Sequence, residues 1–265
     1  MISKLADIHA ETKIGANVII DAFAVIQKGV VIGDGSHIMS HATIMEDSTL
    51  GKGCKVFPGA VIGAIPQDLK YEGEKTTVEI GDNTTIRECA TINKGTKDKW
   101  KTVVGSNCLL MAYSHIAHDC IIGNNVILAN SVQLAGHVTV GDYAILGGLA
   151  AAIQFTRIGA HTYISGHTEI RKDVPPFIRA GRNPLSYVGV NSVGLQRRGY
   201  TSEKINNILD IYRHMYSKGM NISQAIEHVE KMYPSSEEMI DIVSFIRDSK
   251  KGILRFSGKN GSDED

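Results

Sequence analysis

Reading every sixth residue from Ile8 returns an almost unbroken aliphatic series: Ile14, Ile20, Ile26, Ile32, Ile38, Ile44, Leu50, Val56 and Ile62. The series lapses at Asp68 and Glu74, returns at Ile80, Ile86 and Ile92, and lapses again at Asp98. It then runs through Val104, Leu110, Ile116, Ile122, Leu128, Leu134, Val140 and Leu146 to Ile158, Ile164 and Ile170, with the smaller Ala152 in between. Glycine often follows the aliphatic residue, as at Gly15, Gly33, Gly51, Gly81, Gly105 and Gly123, and four residues after it a small or β-branched side chain recurs, as at Ala24, Ser36, Ala42, Cys54, Ala60, Ala90, Cys120, Ala144 and Thr156. Neither an α-helix nor a half-buried strand repeats at six. A short strand followed by a sharp turn does, and three such units make one coil of a triangular prism.

In that prism the aliphatic residues fill the interior and the small ones sit beside them near the corners. Glycine tolerates backbone angles and close approaches that a Cβ obstructs. Successive coils pair as parallel strands about 4.8 Å apart, so the core is buried by stacking and stability is spread along the solenoid. Composition agrees with a soluble chain: 265 residues, 43% hydrophobic, 27 glycines. The 28 basic residues balance the 28 acidic ones, so no bulk field favours nucleic acid or an anionic membrane. No apolar run approaches the roughly 20 residues that span a bilayer. Met1 to Lys13 carries charges throughout and lacks a signal-peptide core. The expectation is a cytoplasmic protein with no integral membrane association. Cys54, Cys89, Cys108 and Cys120 form no CxxC pair. Three of them occupy the small-residue slot, where they read as buried structural thiols.

After Pro175-Pro176 the period is lost. Ile205, Ile208, Leu209, Tyr212, Met215 and Tyr216 recur at helical spacing from Thr201. A second helix is predicted over Ile222 to Met232. A third follows Ser235-Ser236-Glu237-Glu238, where Ser235 and Glu238 have capping-box spacing. The division expected is a β-helix over 1–190, a C-terminal helical domain over 191–256, and a polar, frayed tail over 257–265.

The two interruptions, one carrying Gln67-Asp68-Leu69-Lys70-Tyr71 and the other Asn93 to Lys101, are either bland surface insertions or functional loops. The segment from Ser114 to Cys120 is more informative. With Ile116 and Cys120 inward, His118 lies outside the coil. One coil is eighteen residues, so His118 falls beneath Gly136, Gly136 beneath Gln154, and Asp119 beneath His137. A base and a side-chain-free amide on one ridge suit acyl transfer. Neutral His118 accepts a proton from an attacking hydroxyl, the Gly136 N–H steadies the oxyanion, and Asp119 orients the imidazole.

At these residues the chain resembles the UDP-N-acetylglucosamine 3-O-acyltransferase family, first enzyme of lipid A biosynthesis, within the hexapeptide-repeat transferases. The stretches that carry the resemblance are Gln67-Asp68-Leu69-Lys70-Tyr71, His115-Ile116-Ala117-His118-Asp119-Cys120, Leu134-Ala135-Gly136-His137, Gln154-Phe155, Asp173-Val174-Pro175-Pro176, Gly189-Val190-Asn191 and Leu195-Gln196-Arg197-Arg198-Gly199. The resemblance implies a left-handed parallel β-helix, a homotrimer with sites between neighbouring prisms, and transfer of a 3-hydroxyacyl chain from acyl carrier protein to the glucosamine 3-hydroxyl of UDP-N-acetylglucosamine. No cofactor is implied, the phosphopantetheine thioester being a substrate. His118 matches the family's general base and Gly136 its oxyanion amide. Asp68 and Lys70 match positions holding the sugar nucleotide, with Gln67 beside them. His115, His137 and Gln154 match lining positions, and Asn191, Arg197 and Arg198 residues near the nucleotide, phosphates or carrier arm. Gly166 falls at the acyl-chain ruler, where glycine implies a long chain of fourteen carbons or more. Ile153 and Pro184 depart from family histidines, and Val193 from an acidic residue.

Other readings make distinguishable predictions. A related N-acyltransferase carries a uridine-binding domain before its repeat, whereas here the hexads begin at Ile8. An amino-sugar acceptor would give an amide. A zinc lyase of the γ-carbonic anhydrase kind would use three histidines, for which His115, His118 and His137 offer themselves. A non-catalytic scaffold leaves the combined motifs unexplained.

Overall fold

Each hexad becomes a two-residue strand and a turn, as in Ile121–Ile122 followed by Ile127–Leu128. The computed structural model describes residues 1–216, 220–233 and 236–255. Every third strand pairs in parallel with its successor, giving three sheets of nine, eight and ten strands among the described residues. The pairing of His115 with Gln133 and Ile116 with Leu134 is the eighteen-residue coil predicted from the period. Where the series lapses, the spacing changes. Ile62 pairs with Ile92, thirty residues on, and Ile92 with Ile116, twenty-four on. The insertions therefore add twelve and six residues, whole multiples of the hexad, so reading by sixes stays in phase across them.

The aliphatic slot is the core: Ile20, Ile32, Ile38, Ile44, Ile62, Ile86 and Leu128 are fully buried, as are Ala24, Ala42 and Cys54 in the small slot. Full burial of one such aliphatic side chain contributes about 1.5–3 kcal/mol. Cys108 and Cys120 are buried too, and Cys89 is exposed. Burial pushes the Cys120 thiol up to about 12.

Of the two uses foreseen for the recurrent glycine, the close approach is the one realised. A Cβ on Gly33 would lie 2.5 Å from the carbonyl carbon of Gly51 in the next coil. The left-handed backbone falls two residues later and is borne mostly by residues with side chains, among them Asn17, His41, Asp47, Asn83, Asp119, His137, Tyr143, Phe155, His161 and Phe177. Gly15, Gly33, Gly51, Gly81, Gly105, Gly123, Gly141 and Gly159 all follow strands of the second sheet, so they stack along one edge of the prism. There the tight stacking lets a side chain from one coil accept from an amide of the coil below, as Asp34 does from Ala16 N and Asp142 from Asn124 N, each at 2.8 Å.

Past the last coil the chain makes an antiparallel hairpin, Ile178–Gly181 with Ser186–Val190. Four helices follow among the described residues: α1 Ser192–Arg197, α2 Ser202–Met215, α3 Ile222–Met232 and α4 Glu237–Arg247. The short α1 was not foreseen. The helix predicted from Thr201 is α2, with Thr201 as its N-cap and Ile205, Ile208, Ile211, Tyr212 and Met215 buried. Tyr212 fastens it to the prism by donating to the Pro176 carbonyl at 2.6 Å. The capping box predicted from Ser235 is replaced at α4: Ser236 accepts from Met239 N, while Glu238 pairs with Lys204 at 2.8 Å. Ser235 and the predicted tail 257–265 lie outside the described residues. Among the described residues no helix is long and apolar enough to cross a membrane.

Candidate active site

The edge between the first and second sheets carries the candidate chemistry. Strand His115–Ile116 ends there, and Ile121–Ile122 begins the next sheet. Ile116 and Cys120 point inward and are buried. The residues between them turn the corner, with Asp119 in the left-handed region at φ 58°, a conformation Asp tolerates better than most. The coil above repeats the corner: His137 N donates to His118 O at 3.0 Å, and Phe155 N one coil higher donates to Gly136 O at 3.2 Å. Gly136 sits directly over the imidazole, so that a Cβ there would meet His118 Cε1 and Nε2 at 2.5 and 2.6 Å.

Position Gly136 corresponds to Ala16, Ser106 and Asn124 on the glycine edge, whose amides are capped by side chains of the next coil. Here the residue above is Gln154, exposed, and the Gly136 N–H has no acceptor among the described residues.

His118 lies outside the prism core, as predicted, yet it is only 4% exposed. Both insertions fold over it. The first brings Asp68, whose Oδ2 is 3.9 Å from His118 Nε2. The second encloses Asp119, which is fully buried. Asp119 Oδ1 accepts from the amides of Thr96 at 2.9 Å and Lys99 at 3.2 Å, and Oδ2 accepts from Thr96 Oγ1 at 2.6 Å. Its own amide donates to the buried Thr102 Oγ1 at 2.9 Å, and Lys99 Nζ donates to its carbonyl at 3.2 Å. Burial, the strongest single influence, pushes the Asp119 carboxyl up. Thr96, His118 and the Lys99 amide together outweigh it and hold the group below the usual carboxylate range.

His118 Nδ1 is 2.8 Å from the same Asp119 Oδ2. A carboxylate only accepts, so Nδ1 carries a proton, and in the neutral ring Nε2 is the acceptor, facing Asp68 and the Gly136 segment. His137 stands edge-on to His118 with ring centres 5.0 Å apart and stacks on Phe155 at 4.3 Å. Its Nδ1 lies 3.1 Å from Asp98 Oδ2 without the alignment of a hydrogen bond. Burial is the main cause that lowers the proton affinity of His137, against the pull of Asp119.

The structure thus brings His118, Asp119, Gly136, His137 and Asp68 together. His115, half-buried, turns away to Thr91 Oγ1 at 2.7 Å. The group that converges is therefore not three histidines but His118, Asp119 and His137, with one polar atom from each within 4.8 Å, and the Asp119 oxygens are already engaged. Gln67 and Lys70 are exposed beside Asp68, which accepts from Lys70 N at 3.0 Å. The remaining candidates lie elsewhere in the same chain. Asn191 caps α1 and donates to His161 O at 2.9 Å, and Arg198 donates to Tyr143 O at 3.0 Å, both at the glycine edge; Arg197 is exposed. Gly166 is exposed on the third edge, directly over Gly148. Thr96, Lys99 and Thr102 were not singled out from sequence. Thr96 and Lys99 stand in the second insertion, where no period exists to place them.

A three-sided solenoid with a carboxylate-held histidine beneath a bare amide is the architecture of a hexapeptide-repeat acyltransferase, and the bacterial transferase hexapeptide pattern matches residues 11–46, 31–64 and 101–136. The pattern described as UDP N-acetylglucosamine O-acyltransferase, domain 2, matches residues 173–254. An acyl-[acyl-carrier-protein]–UDP-N-acetylglucosamine O-acyltransferase of Thermodesulfovibrio yellowstonii is 44% identical over 96% of this chain and 99% of its own. One of Chlorobaculum tepidum is 46% identical over 85% and 93%. The crystal structure of a UDP-N-acetylglucosamine acyltransferase from Bacteroides fragilis superposes with a TM-score of 0.95 at 50% identity, covering 96% of this chain and all of that one. The chain belongs to the acyl-[acyl-carrier-protein]–UDP-N-acetylglucosamine O-acyltransferase family.

Proposed function

We propose that the enzyme transfers an (R)-3-hydroxyacyl group from acyl carrier protein to the 3-hydroxyl of UDP-N-acetylglucosamine, the first step of lipid A biosynthesis, by direct attack. His118 Nε2 takes the proton of the sugar hydroxyl as its oxygen bonds to the thioester carbon. The carbonyl oxygen gains the negative charge and accepts from the Gly136 N–H. Collapse expels the phosphopantetheine thiolate, which takes the proton from the imidazolium. Asp119 keeps Nδ1 protonated throughout. The observation that carries this reading is the pairing of an acceptor nitrogen, fixed by the 2.8 Å contact to Asp119, with an adjacent amide that has no partner among the described residues.

Asp68, with Gln67 and Lys70, holds the sugar next to Nε2, and His137 and Gln154 line the path, with His115 set back on Thr91. In a homotrimer the nucleotide end is completed by a neighbouring copy, and there the exposed Arg197 suits the diphosphate better than Arg198, which is engaged with Tyr143. Gly166 leaves the acyl groove open to a long chain. A side chain there must displace the Gly148 carbonyl oxygen, 2.8 Å from the Cβ position. Gly166→Met is therefore read by the ratio of turnover on short and long donors, which a loss of folded protein does not change. An unchanged ratio removes Gly166 from the ruler.

The test combines the purified enzyme, UDP-N-acetylglucosamine and a set of 3-hydroxyacyl carrier proteins, with mass spectrometry of the nucleotide sugar. His118→Ala lowers turnover by about 10²–10⁴ while the protein stays folded, because the ring lies outside the core. Near-normal turnover of that variant overturns the base assignment, and absence of any acylated nucleotide sugar with the wild type overturns the reaction.

A further inference from the structure

Two donors converge on a single oxygen at the buried end of the site. Thr96 Oγ1 is 2.6 Å from Asp119 Oδ2, and His118 Nδ1 is 2.8 Å from the same atom. The Thr96 amide meanwhile holds Oδ1 at 2.9 Å. Thr96 is itself buried and belongs to the second insertion, which no hexad requires. Thr96 Oγ1 also accepts from Asp98 N at 3.3 Å, so its proton is free to be given to the carboxylate. The hydroxyl thus has one direction open to it.

We propose that Thr96 is a positioning residue for catalysis, which acts through Asp119 to fix the His118 ring and to limit how tightly its protonated form is held. The inference rests on His118 being the base. A hydroxyl that donates to Oδ2 draws electron density from the oxygen that also faces the Nδ1–H. Less remains to stabilise an imidazolium, so the contact orients the ring without fastening its protonated form. The other charged and titratable groups facing His118 are Asp68 at Nε2, His137 edge-on, His115 one strand back, and Lys99 on the Asp119 carbonyl, with Asp98 beyond His137. Thr96 alone among the insertion's side chains reaches the oxygen that His118 shares. The second insertion thereby gains a task that its sequence left open.

Thr96→Val keeps the shape and the backbone amide but removes the donor. The expected result is a fall in kcat of roughly ten- to a hundredfold with KM within about twofold. The acid limb of kcat/KM moves to higher pH by roughly half to one unit, since His118 then keeps its proton longer. Thr96→Ser, which restores the hydroxyl, returns both to near wild type. In an Asp119→Asn background Thr96→Val adds little, because its route of action is gone. An unmoved acid limb, failure of serine to rescue, or full additivity with Asp119→Asn overturns the proposal. Thermal melting accompanies each variant. If valine does not fold, Thr96→Ala, which adds no bulk, carries the same expectations. His118→Ala separates the two levels. If that variant keeps its turnover the underlying reading fails; if it is inactive while Thr96→Val is unaffected, only the role of Thr96 fails.

Discussion

Two edges of this prism use the same backbone slot for opposite ends. At the glycine edge the upper left-handed corners hold Tyr143, His161 and Phe177, stacked at 4.9 and 5.5 Å. Arg198 and Tyr200 close over that column. Lower on that edge the amides of Ala16, Lys52, Ser106 and Asn124 are capped by carboxylate or amide oxygens of the next coil, and the edge ends as a dock for the helical region. At the His118 edge the same slot holds Asp119, His137 and Phe155. His137 and Phe155 stack too, but the neighbouring Gly136 amide is left uncapped among the described residues and the insertions close over the corner. A corner covered by stacked rings and by the helical region becomes a fastening. One that keeps an open amide beside an oriented imidazole becomes a place for chemistry.

The sharpest way to break this contrast is to fill the open position. Gly136→Ala puts a methyl 2.5–2.6 Å from the His118 ring and moves the amide away from the reacting carbonyl. Turnover falls about 10²–10³-fold, with a much smaller change in melting temperature. Wild-type turnover in Gly136→Ala would mean that the uncapped amide serves no purpose. The mirror-image experiment is Phe177→Ala at the other edge. Phe177 is buried between His161 and Tyr200, and its truncation costs about 3–5 kcal/mol by denaturant unfolding. Turnover per folded enzyme stays near normal. Loss of turnover out of proportion to loss of stability would show that the fastening edge also contributes to catalysis.

The contrast between the edges also marks how far the sequence could be read. The prism was legible because Ile and Val at every sixth position have no other three-dimensional use, and because insertions of twelve and six residues leave the phase intact. The His118–Gly136 neighbourhood followed from counting eighteen, which holds above the second insertion as far as Ile170, beyond which Ile158 meets Val174 and Ile164 meets Ala180 at a shorter spacing. Which corner residue turns left-handed was not legible. A period fixes the slot, but the strain of roughly 1–2 kcal/mol at a residue with a Cβ is borne by stacking and hydrogen bonds, so Asn, Asp, His, Phe and Tyr all serve. Thr96 was invisible for a different reason. It reaches Asp119 from twenty-three residues away, out of a segment without repeat. The six-residue α1 offers too few turns for a helical stripe, and adjacent serines left the α4 cap ambiguous by one residue.

The smallest expected effect tests whether the fastening edge needs a neutral histidine. Burial first, and the Arg198 guanidinium second, push the His161 imidazole down to about 4 from its ordinary value of 6.5. Between those two values the unfolded chain binds a proton that the folded one refuses. Stability contributed here is complete above pH 6.5, declines as pH falls toward 4, and declines no further below it. His115 and His137 are depressed in the same direction by burial, so the wild-type slope alone does not isolate His161. His161→Phe does, since a ring that cannot titrate still stacks between Tyr143 and Phe177. The difference between wild type and variant should change only inside that window, by about 1 kcal/mol once solvent screening at a half-buried ring is allowed for, or about 2–4 °C in melting temperature. Parallel melting curves from pH 7 to pH 4 would show that the column holds the helical region by packing alone. The charge of Arg198 would then have to be accommodated by the Tyr143 ring and carbonyl, with no part for a neutral imidazole.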